Sequence, residues 1–185
     1  FERRPKNVKI AVCYHKPANL IQNEVFLPLN VGRKVNKLNS KDGKLTENTV
    51  EWLNRNMIGD DTGDNISIYN RNYCELTGMY WMWKNQDKIS NPEYLGLMHY
   101  RRVFQFEKDN QLNYCPKIED IKSICGQADI IVANKLPAYS QKLKKNIDTI
   151  YEHFAIEHST KEIDILYETV KTECPDKIRA LKRVL

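Results

Sequence analysis

The sequence contains no GxGxxG, no Walker loop, no GxSxG and no HExxH. The commonest dinucleotide, nucleoside-triphosphate, serine-hydrolase and zinc-peptidase signatures are therefore missing. No apolar run approaches the roughly 20 residues that a membrane-crossing helix needs, and no signal-peptide-like stretch opens the chain. Any work at a membrane is expected from its surface. Five cysteines (Cys13, Cys74, Cys115, Cys125, Cys174) are scattered, odd in number and never at CxxC spacing. That pattern argues against a disulfide framework or zinc site and for a reducing, cytoplasmic compartment. Charge of one sign is in small excess, +5 over 185 residues. This is too little to coat nucleic acid, and suits an anionic small molecule or a loose association with anionic lipid.

What is present describes one globular domain with a real core: 41% apolar and 29% charged residues. Val8–Tyr14 reads as a buried first strand closed by His15-Lys16-Pro17, and 24–33 as a short extended piece with a turn at Gly32. From Lys34 to Met57 the composition is polar and Asn-rich, predicting an irregular excursion with one helical turn around Thr49–Asn54. Tyr94–Met98 reads as a central strand, with Gly96 marking close approach of another backbone. A short helix over Ile118–Cys125 and a buried strand over Ala128–Ala133 complete a βαβ-type connection. Ser140–Lys145 reads as a basic loop; Ile147–His158, Lys161–Cys174 and Asp176–Leu185 read as helices. The alternation gives an α/β class.

Residues 58–104 concentrate the costly residue types, including all three tryptophans. Asn72 and Glu75 have the spacing of a capping box. Tyr69, Tyr73, Leu76, Tyr80 and Trp83 then form one apolar helical stripe, and Asn70, Cys74, Thr77 and Trp81 a neighbouring one. The aromatics are expected mainly in the core. Because they follow core periodicity and do not interleave with Lys142, Lys144 and Lys145, nucleic-acid binding is disfavoured.

Two polar clusters fall at strand ends. His99-Tyr100-Arg101-Arg102 follows the central strand, where open α/β sheets bind ligands. Adjacent arginines there can grip phosphate oxygens, or one can pair with a structural carboxylate while the other faces water. Asp60-Asp61-Thr62-Gly63-Asp64 can hold Mg²⁺ or Mn²⁺, supply a base, or simply form a solvated, capped turn. An EF-hand is excluded, since no DxDxDG occurs.

The stretches DTGDNISIYN (Asp61–Asn70), YCELT (Tyr73–Thr77), YWMWKN (Tyr80–Asn85) and GLMHYRRVF (Gly96–Phe104) together resemble one family. It is a domain-of-unknown-function family of capsular, exopolysaccharide and lipopolysaccharide gene clusters, treated as glycosyltransferases. His15-Lys16-Pro17, Pro28–Gly32 and the Tyr151, His158, Asp164 series also fit it. The resemblance covers roughly Val8 to the C-terminus. It implies a single domain, 1–185, with a Rossmann-like A-type glycosyltransferase core: a mixed, mostly parallel sheet flanked by helices, then C-terminal helices. A further helical segment bearing Asn-Met-Phe is expected beyond Leu185. The implied reaction moves a hexose, galactofuranose included, from a UDP-sugar to a surface glycan or lipid-linked glycan, with peripheral contact at the inner membrane. In that reading His15, Lys16, Asn65, Tyr100, Arg101 and Arg102 bind the donor, while Asp64, Asp61 and His99 are catalytic. Trp81, His158 and Asp164 contact the acceptor. No metal ligand is assigned; Mg²⁺ or Mn²⁺ is admitted, and arginine charge is expected in place of a metal. A non-catalytic nucleotide- or carbohydrate-binding module is the alternative.

Overall fold

The computed structural model describes residues 7–38, 43–102, 118–132, 138–140, 144–147 and 149–184. The charged start Phe1–Lys6, the loop Asp109–Pro116, Cys115, Lys142 and Leu185 lie outside the described residues. The chain divides into two compact units, Phe1–Val132 and Ala133–Leu185.

The first unit is built on a parallel sheet. Strand β1 (Val8–Tyr14) is central, with β2 (Phe26–Asn30) on one side and β4 (Tyr94–His99) on the other; the two-residue β3 (Ile58–Gly59) extends the β2 edge. The order β3-β2-β1-β4 and the parallel pairing bear out the Rossmann-like α/β expectation. Strands flanked on both sides and covered on both faces need continuous apolar sequence. Ile10 to Tyr14 is accordingly 0–5% exposed. The exception, Lys9, reaches out to donate to the Glu24 carbonyl at 2.6 Å. Gly96 pairs with Ile10, and a Cβ there would stand 2.9 Å from the Ile10 side chain, which explains the glycine.

Helix α1 (Glu47–Asn56) lengthens the single helical turn expected around Thr49–Asn54 within the polar excursion. Thr46 caps it by accepting from the Thr49 amide at 3.2 Å, and its polar residues line the solvent face. Only Val50 and Leu53 are buried on it, contributing about 1.5–3 kcal/mol each. Two buried positions in ten leave little periodicity to read.

The aromatic segment also departs from expectation. Helix α2 (Asn70–Tyr73) stops at once, and α3 (Leu76–Lys84) begins after a break at Cys74, so Asn72 and Glu75 form no capping box. On α3 the face toward the sheet is Thr77, Gly78, Trp81 and Met82. Gly78 makes this possible: a Cβ there would lie 2.9 Å from Val31 and 3.0 Å from Leu29. The stripe expected in the core faces solvent instead, with Tyr69, Tyr73, Leu76 and Trp83 all more than half exposed. Helix α4 (Ile118–Cys125) forms as expected, burying Ile121 and Cys125. The strand expected at Ala128–Ala133 does not: residues 128–132 pair with no strand among the described residues, and Ile130 and Val132 are exposed.

In the second unit, β5 (Ala138–Ser140) and β6 (Lys145–Ile147) form an antiparallel pair; the basic loop expected over Ser140–Lys145 falls between them, and its residues 141–143 lie outside the described residues. Helices α5 (Ile150–Glu157), α6 (Thr160–Glu173) and α7 (Ile178–Val184) follow, the first capped by Thr149 and the last preceded by a 3₁₀ turn at Pro175–Lys177.

One buried acid ties the first unit together. Asp60, 0% exposed, follows β3 and accepts four hydrogen bonds. Gly32 and Arg33 amides donate at 2.8 and 3.1 Å, the Ser67 and Thr77 hydroxyls at 2.5 and 2.6 Å. Replacing it strands two amides and two hydroxyls. Asp60→Ala is expected to cost at least about 3 kcal/mol, read as a lower urea midpoint. A loss under about 1 kcal/mol would show the contacts to be incidental.

Candidate active site at the carboxyl edge of the sheet

The chain leaves β1 toward β2 and β3, then returns to pair β4 on the opposite flank of β1. The strand order therefore reverses between β1 and β4, and ligand crevices in open α/β sheets open beyond the carboxyl ends at such a point. Cys13 pairs with His99, so the residues after β1 and those ending β4 emerge side by side. Two of the anticipated clusters, His15-Lys16 and His99–Arg102, meet here.

Their rings form one packed group. Tyr14 stacks on Tyr100 at 5.2 Å between centroids; His15 lies 5.5 Å from both His99 and Tyr100. Tyr14 also fixes the outgoing loop, donating to the Asn19 carbonyl and accepting from the Ile21 amide, each at 2.9 Å. After β4 the chain turns tightly. Tyr100 N–H still donates to Cys13 O at 3.3 Å, and Arg102 N–H closes back on His99 O at 2.8 Å. Arg101 and Arg102 are both exposed, the Arg101 guanidinium 5.4 Å from the Tyr100 ring centre. Among the described residues neither guanidinium has a carboxylate partner.

The His99 ring is fixed through one nitrogen and faces a carboxylate with the other. Its Nδ1 accepts from the Arg101 amide at 3.1 Å, so the neutral ring carries its proton on Nε2. That nitrogen has no hydrogen-bond partner among the described residues and lies 3.6 Å from Glu75 Oε1. Burial lowers the His99 pKa below its ordinary value; Glu75 opposes the shift, and Arg101 and Arg102 reinforce it. Burial likewise lowers His15, aided by His99, Lys16 and Arg101 and opposed by Glu75. Glu75 was not foreseen as a site residue. It stood in the sequence as half of a capping box, and no Gly or Pro announced the break at Cys74 that frees it.

The acidic loop is organised differently. Asp60 is the structural acceptor described above. Asp61 lies 3.8 Å from the Arg33 guanidinium, and Asp64 accepts from the Tyr80 hydroxyl at 3.0 Å. Asn65 bonds within the loop, its amide donating to the Asp61 and Gly63 carbonyls at 3.1 and 2.8 Å. Among the described residues no three His, Cys, Asp or Glu side chains converge on a metal position. Trp81 is a correction. It is 0% exposed and donates its indole N–H to Thr62, so it offers no face for stacking on a sugar ring. His158 and Asp164 are exposed residues of the second unit, His158 stacked on Phe154 at 4.4 Å.

The family model "Domain of unknown function (DUF4422)" matches residues 9–185. The solved apo structure of WbbM, a bifunctional glycosyltransferase, is similar over 97% of this chain, with a TM-score of 0.64 and 25% identity. The match covers 31% of WbbM. No curated protein matches.

The histidine pair gives stability a definite pH dependence. Both take up protons more readily in the unfolded chain, near pH 6.5, than in the fold. Their stabilising share is thus complete above that value and lost as pH falls through their lowered folded values. The urea midpoint, followed from about pH 8 to 5, is expected to fall on acidification, and less steeply in His15→Gln/His99→Gln. A midpoint rising toward acid would contradict this.

Proposed function

We propose that this chain, which belongs to the DUF4422 family, is a glycosyltransferase that moves a hexosyl group from a UDP-sugar to a glycan or lipid-linked glycan acceptor. The carrying observation is the placement of two exposed arginines, without a carboxylate partner among the described residues, and of His15-Lys16 around the β1/β4 reversal. The likeness to a glycosyltransferase structure supports the same reading.

Breaking the bond between a sugar and a nucleoside diphosphate leaves new negative charge on the outgoing phosphate oxygen. Cations already fixed near that oxygen stabilise it without reorganisation, by about 3 kcal/mol for one well-placed donor. Arg101 and Arg102 suit this role because guanidinium groups remain charged and engage phosphate with two parallel N–H donors. The turn fixed by Arg102 N–H on His99 O orients them relative to the strand. Lys16 adds a cation on the β1 side, and His15 with Tyr100 provides a ring surface for the nucleoside. The acceptor glycan of a surface polysaccharide and a peripheral membrane contact complete the proposal.

UDP is expected to raise the thermal midpoint by binding the folded state. Arg101→Ala/Arg102→Ala is expected to weaken UDP at least tenfold, about 1.4 kcal/mol, by calorimetric titration. Unaltered affinity in that double variant would remove the arginines from the donor site. Binding without any turnover of sugar nucleotides would favour a non-catalytic module.

A further inference from the structure

We infer that Glu75 takes the proton from the attacking hydroxyl in the transfer proposed above, on which this assignment rests, and that His99 is its positioning residue. The backbone is what presents Glu75. Cys74 adopts φ 47°, ψ −129°, a conformation costing a non-glycine residue about 1–3 kcal/mol. The surroundings hold it there. Cys74 N–H donates to Asn70 O, and the Asn70 side-chain amide donates to Cys74 O, both at 2.7 Å. The same amide donates to the Thr77 hydroxyl at 2.9 Å, and Thr77 donates to Asp60. A strained turn fastened to the buried acid thus sets Glu75 at the start of α3, beside the end of β4.

His99 is poorly suited to move a substrate proton itself. Its Nδ1 is filled by the Arg101 amide, its Nε2 faces Glu75, and its side chain is 12% exposed. Glu75 is the reverse: its side chain is 41% exposed, and neither carboxylate oxygen has a hydrogen bond among the described residues. The loop acids are engaged elsewhere. Asp64 bonds Tyr80, and its carbonyl accepts from Asn85 at 2.8 Å. Those partners lie five and ten residues beyond Glu75, about 7 and 15 Å along a helical rise. In the proposed step the acceptor oxygen bonds to the anomeric carbon. The bond from that carbon to the diphosphate oxygen breaks, its electron pair staying on the phosphate that faces Arg101 and Arg102. The hydroxyl proton passes to Glu75 and then to solvent, while His99 Nε2–H steadies the carboxylate.

Hydrolysis of a panel of UDP-, GDP- and dTDP-hexoses, with water as acceptor and nucleoside diphosphate release as signal, tests this without knowledge of the glycan. Glu75→Gln is expected to bind UDP within about twofold of wild type and to lose at least about 100-fold in turnover. Added formate should restore part of the turnover of Glu75→Ala. His99→Gln should displace the acid limb of the kcat profile, which a purely structural histidine would not do. Turnover in Glu75→Gln within about threefold of wild type overturns the assignment. So does a joint loss of UDP binding and turnover, or a collapse in Asp64→Asn that Glu75→Gln does not share. A wild type that neither binds nor cleaves any member of the panel overturns the transferase reading itself.

Discussion

The carboxylate of Asp60 is the contact on which the first unit depends. Four donors from three separate segments meet on it: the turn after β2, the 3₁₀ turn at Ser67, and α3. A buried acid is costly unless every lone pair is used, and here both oxygens accept twice. Satisfying it forces those segments into one arrangement. Gly32 follows from this, since at φ 69° with Asn70 against it, a Cβ would lie 2.4 Å from the Asn70 oxygen. The packing of α3 against Leu29 and Val31 through Gly78, one residue beyond Thr77, belongs to the same constraint.

From that anchor the geometry of the site follows in steps. Thr77 fixes the first turn of α3, Asn70 fixes the break before it, and the break places Glu75 against His99. His99 is in turn bonded to the backbone of Arg101. In the proposed transfer, the cations that meet the leaving group, the base for the incoming hydroxyl and the aromatic surface of Tyr100 stand on β1, β4 and α3, around one reversal of strand order. Little of this relies on the acidic loop as a source of chemistry. Its main contribution is Asp60, a structural one.

Parts of this were legible in the sequence for physical reasons. β1 is buried along nearly its whole length and reads as an apolar run. β4, expected as a central strand, is instead the edge of the described sheet with Leu95 39% exposed, and it reads as apolar because it pairs with β1 throughout. The polar residues that end both strands read as site candidates. The face of α3 was misread because residue size outweighed packing geometry. Bulky Tyr69, Tyr73 and Trp83 were expected inside, yet the sheet accepts Thr77 and Gly78, where the backbones approach closely. α1 was expected as a single turn around Thr49–Asn54, and its full length stayed hidden because only Val50 and Leu53 carry its burial. Ile130 and Val132 look like a strand by composition and are exposed in the fold. Glu75 was hidden because a positive φ at a cysteine leaves no compositional trace. Among adjacent aspartates, nothing in residue type marks Asp60 as the buried one.

The central claim is that a nucleoside diphosphate occupies the crevice between the ends of β1 and β4. Amide shift mapping during a UDP titration addresses it directly. The account predicts the largest changes at His15, Lys16, Tyr100, Arg101 and Arg102, fading toward Asp61–Asn65. Changes confined to Asp61–Asn65 or to the second unit, with His15 and Arg101 silent, would contradict it.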